Sequence, residues 1–198
     1  MKLNQTERAV VTSKGRAWLQ TSVEARLLLS LFRQGLPVVD DALEIGCGGG
    51  LGMQFLKERL GAQNVTAMDL DAQMLAISAA RWQQASWAHF TEADACNMPF
   101  ADRRFDLVAE FAVFHHIPRW QDALAEVARV LRPGGQFLFW DLYRAAICNP
   151  ISRRLFEHPM ENRFNHQEFL GVIRELGLSA VSARELPGLA GMGLFIKQ

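Results

Sequence analysis

"LEIGCGGGLG", residues 43–52, crowds five glycines (46, 48, 49, 50 and 52) behind a short apolar run. Glycine costs conformational entropy, so such a cluster belongs where the backbone must turn sharply or let another group come close. The run before it, "ALEI" at 42–45, reads as a buried strand, and Leu51, Phe55, Leu56 and Leu60 after it repeat at helical spacing. A strand, a glycine loop and a helix in that order lie at the edge of an open α/β sheet where ligands sit, beyond the carboxyl ends of the strands.

Outward from that unit, apolar runs alternate with helical patterns, as in a parallel sheet covered by crossover helices. Further strands are predicted at "VTAMD" (65–69), "AHFTEA" (88–93), "FDLVAE" (105–110) and "QFLFWD" (136–141). Asp71 is a predicted N-cap for a helix with Ala72, Leu75, Ala79 and Trp82 on its inner face. Trp120, Leu124, Val127 and Leu131 mark another helix, which "RPGG" at 132–135 ends. Asn165 with Glu168 has the form of a capping box, and Gly177 stops the helix it opens. Two tail strands, "SAVSAREL" (179–186) and "GLFIK" (193–197), are joined by "PGLAGM", short enough for a hairpin and hence an antiparallel edge. Residues 1–38 are expected to form a helical cap with Trp18, Leu19, Val23, Leu27 and Leu31 on its buried side. Residues 142–164 are expected to form a lid or substrate insert, and 1–198 reads as one domain.

Composition narrows the class. The 198 residues are 49% hydrophobic, enough for a layered core, yet no apolar stretch is long enough to span a membrane and the polar start lacks a signal-peptide centre. Lys plus Arg and Asp plus Glu total 21 each, without the basic excess of a nucleic-acid binder. Cys47, Cys96 and Cys148 are widely spaced and odd in number, against a disulfide framework or a zinc site and in keeping with a reducing compartment. A soluble cytoplasmic domain is the expectation.

The glycine frame and its acids narrow the ligand. A dinucleotide-type G-x-G-x-x-G fails, because Leu51 stands at the third position counted from Gly46; the pattern is G-x-G-x-G. Asp69 ends the second strand, where a carboxylate can take both hydroxyls of a ribose. Glu44 precedes the loop and suits a cationic amino group better than a pyrophosphate. Asp94 closes the third strand and can accept from an exocyclic adenine amine, while the amides of Ala95 or Cys96 meet a ring nitrogen. Three carboxylates at successive strand ends, with no lysine in the loop, suit an adenosine that carries positive charge.

"LEIGCGGG", "VTAMDLDAQML", "EADACNMPFADRRFDLV" and "EVARVLRPGGQFLFWD", in that order over about residues 42–141, resemble the successive motifs of the class I S-adenosylmethionine-dependent methyltransferases. The small-molecule subgroup called type 11 is the nearest likeness. The resemblance implies an α/β, Rossmann-like three-layer sandwich with a seven-stranded, mostly parallel sheet and an antiparallel C-terminal hairpin strand set beside the fifth. It implies S-adenosyl-L-methionine as cofactor, with Glu44, Gly46, Cys47 and Gly48 around its methionine part and Asp69 on the ribose. Leu70 would lie beside the adenine, Asp94 and Ala95 at the adenine edge, and Phe111 against the cofactor; Asp71 stays a helix cap.

Methyl transfer from a sulfonium is an in-line displacement in which alignment alone can supply roughly 7–11 kcal/mol of barrier reduction. A base is needed only if the acceptor must lose a proton. "AEFAVFHHIPRW" (109–120) is expected to face the methyl group, with Glu110, His115 and His116 as candidate catalytic residues. Histidine titrates near physiological pH; His115 is the better candidate base, and His116, just before "IP", looks more structural. A metal is not expected, since adjacent histidines do not easily converge on one ion and no Cys or carboxylate cluster joins them. Tyr143, Arg144, Arg153, Arg154, His158 and Arg163 in the 142–164 insert either clamp a carboxylate or phosphate on a small-molecule acceptor or simply form a solvated face. Two other readings stand beside methyl transfer: a non-catalytic S-adenosylmethionine-binding regulatory or assembly module, and an NAD-dependent dehydrogenase, which the broken glycine frame and Glu44 disfavour. No Asn-Pro-Pro-Tyr-type sequence follows the fourth strand, which argues against methylation of nucleic-acid bases. Were the N-terminal helix left exposed, Trp18 and its leucines would suit a homodimer.

Overall fold

A computed structural model describes residues 13–33, 35–148 and 161–198. Its strands are β1 (Asp41–Ile45), β2 (Asn64–Asp69), β3 (Ala88–Glu92), β4 (Phe105–Phe111), β5 (Leu131–Leu142), β6 (Leu178–Leu186) and β7 (Ala190–Lys197). They form one sheet in the order β3-β2-β1-β4-β5-β7-β6. The pairs from β3 to β5 are parallel, and β7 runs antiparallel to both β5 and β6. The expected seven-stranded sheet, with its antiparallel strand beside the fifth, is present.

Helices cover both faces. They are α1 (Lys14–Leu19), which passes through a π-helical turn (Gln20–Glu24) into α2 (Ala25–Leu29), then α3 (Leu51–Glu58), α4 (Ala72–Arg81), α5 (Trp120–Val130), α6 (Arg144–Ile147) and α7 (His166–Glu175). The two-residue period of a strand divides the core. Phe137 and Phe139 of β5 pack with Trp120 and Phe169 on one side of the sheet, whereas Leu138 packs with Leu28, Met53 and Leu56 on the other. Local chemistry fixes the helix starts. Asp71 accepts from the Gln73 N–H at 3.0 Å, and Asn165 and Glu168 close a reciprocal capping box.

Several boundaries and two helix faces differ from expectation. α5 ends at Val130 and the chain becomes extended at once, so β5 begins at Leu131 and takes in "RPGG", with Gly134 at φ +78°. The tail hairpin is tighter than predicted, with only residues 187–189 between β6 and β7. On α4 the buried residues are Met74 and Ser78; Ala72 is exposed, and Leu75, Ala79 and Trp82 are half-buried. Ser78 turns inward because its hydroxyl meets the Met53 sulfur of α3 at 3.4 Å.

The N-terminal helix corrects the sequence reading more sharply. Of the five residues expected inside, only Leu31 is buried; Trp18 is 64% exposed and Leu19, Val23 and Leu27 also face out. Ala25, Leu28, Leu31 and Phe32 form the inner face. The wider π turn at Gln20–Glu24 changes the angular step along the helix, so residues before and after it no longer share a 3.6-residue face. Residues 1–12, 34 and 149–160 lie outside the described residues, and with them Arg153, Arg154 and His158 of the expected insert. Among the described residues no helix is long and apolar enough to cross a membrane.

Candidate active site

The glycine loop is held from three sides. Gly48 N–H donates to Asp69 Oδ2 at 3.0 Å, and Cys47 N–H donates to the Met68 carbonyl at 3.0 Å. From behind, Arg81 Nε donates to Gly49 O at 2.7 Å and Trp82 Nε1 to Gly50 O at 2.8 Å. Gly46 sits at φ +65°, and a β-carbon there would lie 2.5 Å from Val113 Cγ2. Gly52 is required by close approach instead: a β-carbon would strike the Glu44 carboxylate and the Phe111 ring.

A cleft of two lobes opens above this loop, at the carboxyl ends of the strands. The first lobe, about 790 Å³ with its open mouth, is lined by Glu44, Gly46, Cys47, Gly48, Asp69 and Phe111, and also by Arg16, Gln20 and Asp71. The second, about 720 Å³, is lined by Leu70, Asp94, Ala95 and Cys96 with Ile117, Pro118 and Arg119. Gly46, Asp69, Val113 and His116 border both. All nine residues expected to bind the cofactor line one lobe or the other.

The first lobe is an acidic socket. Glu44 is buried, and its Oε2 has no hydrogen-bond partner. Burial, and then the Asp69 charge, pushes its carboxyl well above the usual range. Burial also raises Asp69, while the N–H groups of Asp71 (2.9 Å from Oδ1) and Gly48 pull it back down. A buried carboxylate oxygen without a donor is stabilised by a cationic N–H group brought in from outside. Burial and the neighbouring acids keep the Cys47 thiol protonated, so it is no nucleophile here. In the second lobe, Leu70 presents a half-exposed apolar face, and Asp94 Oδ1 accepts the Cys96 N–H at 2.9 Å in a tight turn. The Asp94 carboxylate stays exposed, with Arg119 Nη2 3.9 Å from Oδ2.

Beyond β4 the backbone is strained. Ala112 adopts φ +62°, its N–H donates to Trp140 O at 2.6 Å, and the chain turns over the cleft as a 3₁₀ turn, Phe114–His116. The two histidines separate. His116 borders both lobes, whereas His115 is buried behind it, with Nδ1 2.5 Å from Asp141 Oδ1 and its N–H donating to Asp141 Oδ2 at 3.1 Å. Their rings lie 4.1 Å apart. Glu110 is fully buried beneath the turn and takes the Val113 N–H at 3.0 Å; burial and then the Asp141 charge push its carboxyl well up. Arg16 and Gln20 did not emerge from the sequence. Gly52 and Val113 carried only the signal of the stretches that hold them, the opening glycine run and residues 109–120. Among the described residues, no three His, Cys, Asp or Glu side chains group as metal ligands.

Residues 43–139 match the family model described as "Methyltransferase domain". The fatty-acid O-methyltransferase of Mycolicibacterium smegmatis is 33% identical over 152 residues, covering 74% of this chain and 55% of that protein. The malonyl-(acyl-carrier protein) O-methyltransferase of Enterobacter lignolyticus is 36% identical over 157 residues, covering 76% of this chain and 61% of that protein. The chain thus spans little more than half the length of the curated relatives it matches. A SAM-dependent methyltransferase of Aquifex aeolicus shares the fold, with TM-score 0.76 at 16% identity and 100% of both chains covered.

Proposed function

Because this chain belongs to the class I S-adenosylmethionine-dependent methyltransferases of type 11, we propose that it binds S-adenosylmethionine in the two-lobed cleft and transfers the methyl group to an oxygen of a small molecule. The observation that carries the reading is the sealed Glu44 carboxylate, with one oxygen lacking a donor, at the floor of a glycine loop. The cofactor's ammonium group fits that demand. An NAD pyrophosphate would meet the same oxygen with repulsion.

In this reading the first lobe holds the methionine part through Glu44 and the loop backbone, and Asp69 takes the ribose hydroxyls. Leu70 lies against the adenine, whose edge meets Asp94 and Ala95. When bound, the cofactor supplies an electrophilic methyl group on a sulfonium. The chain's own work is to align the acceptor beside Phe111 and Val113 and to exclude water there. His116, bordering both lobes, takes the proton of an acceptor that must lose one, with the His115–Asp141 pair holding the turn behind it. Two relatives named as O-methyltransferases support oxygen as the acceptor atom. The free Cys47, Cys96 and Cys148 support a reducing compartment such as the cytoplasm.

Thermal unfolding with S-adenosylmethionine, S-adenosylhomocysteine and NAD in turn tests the reading. A ligand at about a hundred times its dissociation constant stabilises the native state by about 2.7 kcal/mol, a rise of several degrees. The two sulfur compounds are expected to give that rise and NAD none. A rise with NAD alone overturns the proposal. Binding of S-adenosylmethionine without turnover on any small acceptor would favour the non-catalytic module.

A further inference from the structure

Buried polar atoms without a partner include two acceptors near the cleft, Glu44 Oε2 and Glu110 Oε1. A separate recess, about 690 Å³ with its open mouth, lies between the start of α5 and the side of α7. Arg163 and Trp120 line that recess, 7% and 3% exposed, and Arg163 Nε, Arg163 Nη2 and Trp120 Nε1 all lack a partner. A guanidinium cannot lose its proton at ordinary pH, so burying it without an acceptor leaves a charge uncompensated. Asp141 acts on Arg163 through its charge, but its two oxygens are committed to His115 and to the Leu142 N–H. At the rim, Glu168 Oε2 already takes the Asn165 N–H and Arg144 Nη2, and Glu175 is exposed.

The recess is continuous in chain with the cleft. Pro118 and Arg119 line the second lobe; the next two residues, Trp120 and Gln121, line the recess. Asn162, beside Arg163, clasps the same segment by donating from Nδ2 to Pro118 O at 2.7 Å and to Gln121 Oε1 at 2.8 Å. The indole ring of Trp120 packs at a tilt against Phe164 at 5.0 Å and Phe169 at 5.7 Å, which gives the recess an apolar wall beside its donors. The geometry points to an oxyanion site: Arg163 and Trp120 hold a carboxylate or phosphate group borne by the acceptor. This assignment rests on the methyl-transfer reading. A planar guanidinium with two free N–H groups matches the paired oxygens of either anion.

The test titrates octanoate, octyl phosphate, inorganic phosphate and octanol onto the full chain at fixed ionic strength, with and without S-adenosylhomocysteine, and reads thermal unfolding. The two charged amphiphiles are expected to stabilise the protein and octanol is not. Arg163→Gln should weaken that effect by about tenfold or more, and Trp120→Phe, which keeps an aromatic ring against Phe164 and Phe169 and removes one donor, by a few fold. The S-adenosylhomocysteine shift should be the same in both variants as in the parent. If Arg163→Gln does not fold, Trp120→Phe carries the test. No stabilisation by either charged amphiphile overturns the assignment, as does an effect that survives Trp120→Phe undiminished. Stabilisation by inorganic phosphate alone makes this a free-anion site and also overturns it. Loss of the S-adenosylhomocysteine shift in the parent protein strikes the methyltransferase reading instead.

Discussion

The floor of the cleft and the helical segment along its side are held by opposite means. On the floor, Asp69, Arg81 and Trp82 each tie a glycine-loop backbone group, and Gly46 and Gly52 are fixed by side chains that leave no room for a β-carbon. Along the side, Arg16 and Gln20 reach the first lobe from a helix interrupted by a π turn, with Arg16 Nη1 paired to Glu24 Oε2 at 2.9 Å. The floor is organised before any ligand arrives. The flank meets the core through Ala25, Leu28, Leu31 and Phe32.

If that contrast is right, substitutions on the floor should cost far more than those on the flank. Gly52→Ala should do the most damage, since the new carbon collides with the Glu44 carboxylate and the Phe111 ring. We expect about 1–3 kcal/mol of destabilisation in denaturant titration and a loss of about a hundredfold or more in S-adenosylhomocysteine affinity by calorimetry. A tolerated alanine there would break the picture of a pre-set floor. Asp69→Ala should come next, weakening the same ligand by about tenfold or more and removing the acceptor of the Gly48 and Asp71 N–H groups, at about 1–3 kcal/mol of stability.

The third test concerns pH. Burial raises the Glu110 carboxyl above its range in the unfolded chain, so the folded state holds the proton more tightly. The stability this contributes is complete below the ordinary glutamate range and is lost as pH rises toward the raised value, with a slope of at most about 1.4 kcal/mol per pH unit. Glu110→Gln should therefore flatten the decline of stability from mildly acid to neutral pH, and an unchanged pH profile would count against a protonated Glu110. The smallest effect should be Leu27→Ser on the outer side of α2, within about 0.5 kcal/mol. A core-sized loss there, with a change in sedimentation, would mean that a second copy covers this face.

How much of this was readable in the residues follows the same division. The strands, the capping residues Asp71 and Asn165 and the line of acids Glu44, Asp69 and Asp94 are written in short, local patterns, because each strand end delivers its own residue to the sheet edge. The inner face of the N-terminal helix was not readable, since a π turn breaks the 3.6-residue rule on which such a reading depends. The Met74 and Ser78 face of α4 is set by Met53, a partner supplied from another helix. Arg16 and Val113 reach the cleft only through tertiary packing. The histidine pair shows the limit most clearly: adjacent residues, one turned to the cleft and one sealed against Asp141, carry no mark in the chain that says which is which.

The placement of β7 has a consequence for how the molecule is made. It pairs with β5 on one side and β6 on the other, yet it follows both in the chain. During synthesis β1 to β5 can zip together as they emerge, but the free edge of β5 must wait, and β6 has no seat in the sheet without β7. Phe195 joins the core beside Phe139 at that same moment, and Lys197 then satisfies the carbonyls of Ala128 and Leu131. Until then an open, apolar strand edge is on offer to any other chain nearby. Residues 190–197 therefore act as a zip-fastener's final tooth: none of them lines the cleft, but the half-made protein stays prone to aggregate until they engage.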